Sequence, residues 1–421
     1  MIFRKEKIKR LLKSFLLAPI QPTPFQSYSK AMRKLGILPK ARFTPPDSVT
    51  RVLVISLTKH VGDIVMMLPL LEELKSACPH VELEVAVTSN IASFLQKISY
   101  ISQVHGINVG STSLPIFDRY RYIWRLVRYA IRELANKDYD VCLLPRWGID
   151  PTLSAYLAFL TNAPIRCGQD PREEKYMADD FSGTERLMTM AVRGGYGLPE
   201  AIRELRLLPS VGLLSHLDEV ASQTKKTKTL IAFAQSTDWD GLCIRLGLRP
   251  DIKYGVIAPG ASHGSRMWPP ERYSEVVSSL RAKYAFPFLI VGSVGEIVLG
   301  KTIEVLSDGA AISVIGQTSL TETTALLSHA EVFIGNDSGP AHIAAGLGVA
   351  TVIVSVCPKT SLLEGPHSPS RIRPVGPRYK IVQPNVATRP CDEICNANNA
   401  HCILDVNIEA VIQEVEELML S

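Results

Sequence analysis

EVFIGNDSGPAHIAAGLG, residues 331–348, sets a short apolar run against small residues at helical spacing, with Asp, Ser, Gly, Pro and His between them. That order reads as a buried strand handing over to a helix. Where a parallel strand ends and a helix begins, unpaired N–H groups and the helix dipole favour an anion. Asp337 sits at the same place, and a carboxylate repels an anion, so the stretch needs a partner elsewhere in the chain.

The same alternation continues on both sides. RVLVISL (51–57), ELEVAVT (82–88), QVHGIN (103–108) and YDVCLLP (139–145) read as strands. Helices fit at 62–77, at IASFLQKIS and near 118–137. A second series follows with YGVIAPG (254–260), PFLIVGS (287–293), AISVIG (311–316), EVFIGN and ATVIVSV (350–356). Its helices fit near 270–284, 295–306, 321–329 and 339–347, and NIEAVIQEVEELML (407–420) is a terminal amphipathic helix. Strands alternating with helices imply an α/β chain whose parallel sheets are covered on both faces. The rhythm fades between about 170 and 250, where KKTKT and DWDGLC read as loop or linker. The expected organisation is a basic extension (1–50), a first doubly wound domain (51–250) and a second (251–421). Two such domains facing each other make a cleft.

Composition excludes several classes. The 421 residues are 46% hydrophobic and 21% charged, as in an ordinary globular protein. No apolar run approaches the roughly 18 residues of a membrane span. Residues 1–50 hold eleven Lys or Arg against Glu6 and Asp47, a net +9 within a total of +5, so residues 51–421 sum to −4. A nucleic-acid binder carries its basic face on the folded body, so no nucleic-acid partner is expected. Residues 1–20 place Ile8, Leu11, Leu12, Phe15 and Leu16 on one helical face with six cations around them. That suits a helix lying on an anionic membrane surface, although a helix packed on the body, or a cleaved signal, shares the pattern.

Eight cysteines are present. Cys78, Cys142, Cys167, Cys243 and Cys357 lie in apolar surroundings and read as buried thiols of a reducing compartment. Cys391, Cys395 and Cys402 form C-x3-C-x6-C beside His401. Zinc sites usually use tighter C-x2-C pairs. Packed thiols are therefore the expectation, with no metal and no cofactor.

Three predicted strand ends carry unusual residues. TKHVGDIVMMLP places Gly62 and Asp63 at the start of the first helix, where Asp is also an ordinary first-turn residue. APGASHGSRMWPPERY offers Gly260, Ala261 and Ser262 as a small-residue loop, then Arg266, then Trp268-Pro269 opening a helix; Pro there is common structure. GNDSGPAH supplies Ser338 and Gly339 at a helix start and His342 one turn on. Each alone is a capped helix. The specificity lies in finding all three at strand ends. No G-x-G-x-x-G run and no Walker lysine motif is present, which argues against a nicotinamide or P-loop enzyme.

Taken together, VLVISLTKHVGDIVMMLPLLEELK, PGASHGSRMWPPERY, FLIVGSVGE and IGQTSLTETTALLSHAEVFIGNDSGPAHIAAGLG resemble glycosyltransferase family 9, the lipopolysaccharide heptosyltransferase family. The resemblance runs from about residue 51 to the terminal helix. It implies a glycosyltransferase-B fold of two Rossmann-like doubly wound domains facing a cleft. Asp63 matches the family's proposed catalytic base, with Gly62 beside it. Ser262 matches a hydroxyl that contacts the donor's phosphates. Arg266 stands where the family usually has Lys; both carry positive charge, with different geometry. Glu296 is similar to a residue near the nucleoside ribose. Asp337, Ser338, Gly339, Pro340 and His342 match the donor-binding loop, and Gly260 opens the phosphate side. PRWGIDP (145–151) departs from the family's pattern, so acceptor contacts do not carry over.

The implied activity is inverting, metal-independent transfer of a sugar, a heptose in the family, from a nucleotide-diphosphate donor such as ADP-heptose to a lipopolysaccharide core or related glycan acceptor. The implied place is the cytoplasm, at the inner face of the membrane if residues 1–20 bind it. A positioned carboxylate takes the acceptor's proton, while N–H groups and a cation meet the charge on the departing diphosphate. Two alternatives stay open: a donor-binding protein without turnover, and another sugar-nucleotide enzyme of the same fold.

Overall fold

The computed structural model describes residues 48–110, 115–146, 150, 152–170, 187–195, 197–361, 368–389, 391 and 397–420. Two six-stranded sheets organise it. The first contains β1 (Arg51–Ser56), β2 (Glu82–Thr88), β3 (Gln103–Ile107), β4 (Val141–Leu144), β5 (Ile165–Gln169) and β6 (Met190–Val192). The second contains β7 (Gly255–Ala258), β8 (Phe288–Ile290), β9 (Ala311–Ser313), β10 (Val332–Asn336), β11 (Ala350–Val354) and β12 (Tyr379–Val382). The strand orders are β3-β2-β1-β4-β5-β6 and β12-β11-β10-β7-β8-β9. Read from each sheet's own first strand, both follow the order 3-2-1-4-5-6 of a doubly wound sheet. Every pair is parallel; in the central ones Val52 faces Val141 and Val332 faces Gly255. The expected α/β architecture of two doubly wound sheets is the one present.

The central strands are buried from both faces. In β10 and β11 every residue is buried, which is why they read as continuous apolar runs rather than alternating ones. One apolar core runs from the first half into the second, through Leu68 and Leu71 of the helix Val61–Ala77, Phe233 of the helix Lys228–Gln235, and Ile343 and Leu347 of the helix Gly339–Leu347. Cys78, Cys142, Cys167, Cys243 and Cys357 are all buried.

The segment read as linker is structured. KKTKT runs into the helix Lys228–Gln235, and DWDGLC lies in the helix Trp239–Leu246. The second has a local cause: Asp238 accepts a hydrogen bond from Gly241 N at 3.1 Å, an N-cap. The first is held from far away. Lys228 N and Thr229 N donate to the Glu72 carboxylate at 3.2 and 2.7 Å, 156 and 157 residues distant in the chain. A carboxylate at a helix N-terminus is favourable from either source, but only the local one can be read from neighbours. The strand β5 also lies outside the predicted series. It is short, with Arg166 as its second residue, and that side chain can be buried because it donates to Leu187 O and Ala163 O. The long helix near 118–137 is an α-helix over Ile116–Tyr129 that widens to a π-turn at Ala130–Leu134.

The first sheet carries a buried carboxylate near the end opposite the motifs. Glu84 accepts from Tyr139 Oη at 2.6 Å and Lys137 Nζ at 2.7 Å, and lies 2.6 Å from His105 Nε2. Burial alone would push its pKa up; the hydrogen bonds from His105, Lys137 and Tyr139 outweigh it and hold the carboxyl at about 2. A depressed carboxyl stabilises the fold above its unfolded pKa near 4.5, and that contribution drains away as pH falls towards 2. Glu84→Gln should therefore lose about 3 kcal/mol of unfolding free energy at pH 7, with the deficit shrinking below pH 4.5. Urea unfolding of both proteins at several pH values measures this, and a pH-independent deficit would contradict it.

Candidate active site

The predicted site residues meet in one cleft of about 850 Å³ between the sheets. Gly62 and Asp63 line it from the first half; Gly260, Ser262, Arg266, Glu296, Asp337, Ser338, Gly339, Pro340 and His342 line it from the second. The topology explains the convergence. Asp63 follows β1, which lies beside β4 where the strand order reverses. The Gly260 loop follows β7 and the Asp337 loop follows β10, neighbours at the same reversal in the second sheet. Such switch points open a crevice beyond the strands' carboxyl ends.

On the first-half wall, Thr58 Oγ1 donates to Asp63 Oδ2 at 2.6 Å, and His60 N donates to Thr58 Oγ1 at 3.1 Å. One carboxylate oxygen is thus held by Thr58, whose own hydroxyl is held by the His60 backbone. The helix Val61–Ala77 has no side-chain cap at His60, so Asp63 is oriented by Thr58 and not by a capping bond to its own helix.

On the second-half wall, Asp337 answers the question its position raises. Arg266 Nη2 donates to Asp337 O at 2.9 Å and to Asp337 Oδ2 at 3.1 Å, and Arg266 Nη1 reaches Ser262 Oγ at 3.2 Å. His342 Nε2 lies 3.4 Å from Asp337 Oδ1. The aspartate is therefore bound to two basic side chains, and its charge is spent on holding Arg266 in place. Beneath it, fully buried Asn336 ties the two loops together: its Nδ2 donates to Pro259 O at 2.6 Å, and Trp268 N donates to its Oδ1 at 3.1 Å. The helix Gly339–Leu347 begins at Ser338 without a side-chain cap, and Ser338 Oγ has no hydrogen-bond partner among the described residues. An uncapped helix start facing a cleft is suited to an anion.

Glu296 accepts from Ser293 N at 2.6 Å and Ser293 Oγ at 2.9 Å, a capping box. Its carboxylate fills the space over Gly260 and Gly292, where an added Cβ would come within 1.7 and 2.6 Å of its oxygens. The glycines make room for a carboxylate at the cleft wall, as well as for close backbone approach.

Sequence reasoning missed the acidic floor. Glu200, Glu204 and Arg371 also line the cleft, and Arg371 Nε pairs with Glu200 Oε2 at 3.1 Å across the two halves. Burial drives the Glu204 carboxyl well up, and the charges of Glu200 and Asp63 add to the shift. The i, i+4 spacing of Glu200 and Glu204 was visible; nothing local showed that the pair would be buried. Of PRWGIDP, residues 147–149 and 151 lie outside the described residues, while Arg146 lines the cleft and Asp150 caps a helix by accepting from Ser154 N and Ala155 N at 2.8 Å each.

Known proteins are similar to this chain in sequence and in fold. Lipooligosaccharide heptosyltransferase 2 of Haemophilus ducreyi is 22% identical over 374 residues, spanning 85% of this chain and 97% of its own. The crystal structure of a glycosyltransferase family 9 protein from Veillonella parvula superposes with a TM-score of 0.67 at 19% identity, covering 90% of this chain and 99% of that one. The E. coli heptosyltransferase WaaC with ADP superposes at 0.63 and 18% identity, covering 87% and 99%. The family model described as glycosyltransferase family 9 (heptosyltransferase) matches residues 127–401, well over half of the chain. With its two switch points opposed across one cleft and that match running through both sheets, the chain belongs to glycosyltransferase family 9.

Proposed function

We propose that this chain is an inverting heptosyltransferase. It moves a heptose from an ADP-heptose-type donor to a sugar hydroxyl of a lipopolysaccharide core, working in the cytoplasm. The observation that carries the reading is the opposition of Asp63, on the first-half wall, to the Arg266 loop and the Ser338–Gly339 helix start on the second. A solved relative with ADP has the same fold.

In this reading the diphosphate lies along the second-half wall, against the N–H groups at 338–339 and the loop at 260–262, with Arg266 beside it. The acceptor enters against the first half. Its hydroxyl attacks the anomeric carbon from the face opposite the diphosphate. As the new C–O bond forms, the proton passes to the Asp63 oxygen that Thr58 leaves open, and the bond to the phosphate oxygen breaks. The leaving diphosphate takes the electron pair, and its growing charge is met by groups already in position, so little reorganisation is needed. Glu296 then lies near the nucleoside end, and Asp337 with His342 fixes the geometry of Arg266.

Two variants separate the walls. Asp63→Asn keeps the shape and removes the base, so kcat should fall at least about 10²-fold while donor affinity, read by calorimetry, stays within a few-fold of wild type. Transfer at near wild-type rates would remove Asp63 from the chemistry. Equal donor affinity without turnover in the wild type would favour the donor-binding alternative.

Arg266→Ala should weaken ADP binding by about 1.5–3 kcal/mol, the worth of a charge-assisted hydrogen bond. Arg266→Lys should fall between, because it keeps the charge and loses the planar grip on Asp337. Unchanged ADP affinity in the alanine variant would take Arg266 out of the site.

We further propose that residues 1–20, which lie outside the described residues, bring the enzyme to the inner face of the membrane. No helix among the described residues is long and apolar enough to cross it. Each basic residue near an anionic leaflet is worth about 1 kcal/mol. The full chain should therefore sediment with anionic vesicles and release with salt, and deletion of 1–20 should abolish this while soluble-substrate turnover persists. Equal sedimentation of both proteins would refute the anchor.

A further inference from the structure

The C-terminal loop after β12 folds back on itself. Cys391, His401 and Cys402 come together there, and one ligand atom from each lies within 4.8 Å of the other two. Cys391 and Cys402 are buried and His401 is half-buried. The separation of Cys402 Sγ from His401 Nδ1 is 3.5 Å. Zinc bound tetrahedrally to a thiolate at about 2.3 Å and an imidazole at about 2.0 Å would set those two atoms roughly 3.5 Å apart. Backbone polar groups face Cys402 Sγ, with Thr388 N donating to it at 3.4 Å and Thr388 O 3.9 Å away.

We propose that Cys391, His401 and Cys402 form a structural zinc site. Two soft thiolates and an imidazole are a donor set that suits Zn²⁺, with a fourth donor completing the tetrahedron. Binding converts two thiols to thiolates and releases two protons. The two negative charges then cancel those of the ion, leaving a site of zero net charge, the form least costly to bury. The spacing in the sequence argued otherwise, because it lacks C-x2-C. The structure replaces that pair with an adjacent His-Cys dipeptide and a third ligand delivered by the fold.

None of the three lines the cleft, so the ion has no part in the transfer step. Its position suggests support. The same loop lies against the donor side: Asn398 O would be 3.4 Å from a Cβ placed on Gly264. Just beyond the ligands, Val406 O accepts from Trp268 Nε1 at 3.1 Å and Arg272 Nη1 at 2.6 Å. A metal that fixes 391 to 401–402 therefore backs the segment that carries Ser262 and Arg266.

The test uses the full chain, purified without chelator and without a histidine tag. Elemental analysis should find close to one zinc per chain, and Cys402→Ser and Cys391→Ser should each hold little or none. Chelation of the wild-type protein should lower its Tm, and zinc should restore it. Cobalt added to the chelated protein should give a thiolate-to-metal absorption band that Cys402→Ser weakens. The chelation and cobalt arms use the wild-type chain, so they decide the matter even if a serine variant fails to fold. A native protein that holds no zinc and gives no cobalt band, serine variants that keep their full zinc, or a Cys391–Cys402 disulfide in the unreduced protein would each overturn the proposal.

Discussion

The cleft exists because two helix starts come into contact. An added Cβ on Gly62 would lie 3.1 Å from the His342 ring, and one on Gly339 would lie 2.9 Å from the Val61 side chain. At Gly339 a Cβ would force a neighbour to shift, and at Gly62 the His342 ring would have to give by a few tenths of an ångström. With glycine at each, the first turn after β1 and the first turn after β10 touch, and their positive dipole ends face the same space. The apolar core continues behind them from one sheet to the other. A side chain at either glycine would press on the opposite helix start, at His342 in one case and Val61 in the other.

Within that space the charges are ordered in pairs. Asp337 pairs with Arg266 and lies against the His342 ring, Arg371 pairs with Glu200, and Thr58 engages one oxygen of Asp63. The unpaired capacity left over differs between the walls. The second half retains helix N–H groups and the remaining donors of Arg266, which suit a diphosphate. The first half retains a carboxylate oxygen, which suits a hydroxyl proton. Family membership says which chemistry such a cleft performs; the pairing says which group on this chain is available for each part of it.

Much of this was legible because its causes are local. Buried parallel strands must be continuously apolar, so β1, β10 and β11 declare themselves, and the motif residues sit within a few positions of those strands. The cap at Asp238 is local too, yet the helix it opens lies in a stretch that reads as linker. The unread parts depend on distant partners. The helix at 228 starts where Glu72 meets it. Arg166 can sit inside β5 because carbonyls at 163 and 187 receive it. The burial of Glu200 and Glu204 comes from packing that no spacing encodes. Asp337 looked out of place on a phosphate loop until Arg266, 71 residues earlier, supplied its counter-charge.

The helix Lys228–Gln235 changes how the two halves can move. Its start is held by Glu72 and by Thr227 N donating to Gly346 O at 2.8 Å, the Phe233 ring lies tilted against Phe94 with centroids 4.7 Å apart, and Tyr100 Oη meets Thr229 Oγ1 at 2.7 Å. It is wedged against both bodies as a strut, where a flexible tether would have served as a hinge. A swing of one half away from the other would tear this helix from the first half or from the second, exposing apolar surface in either case.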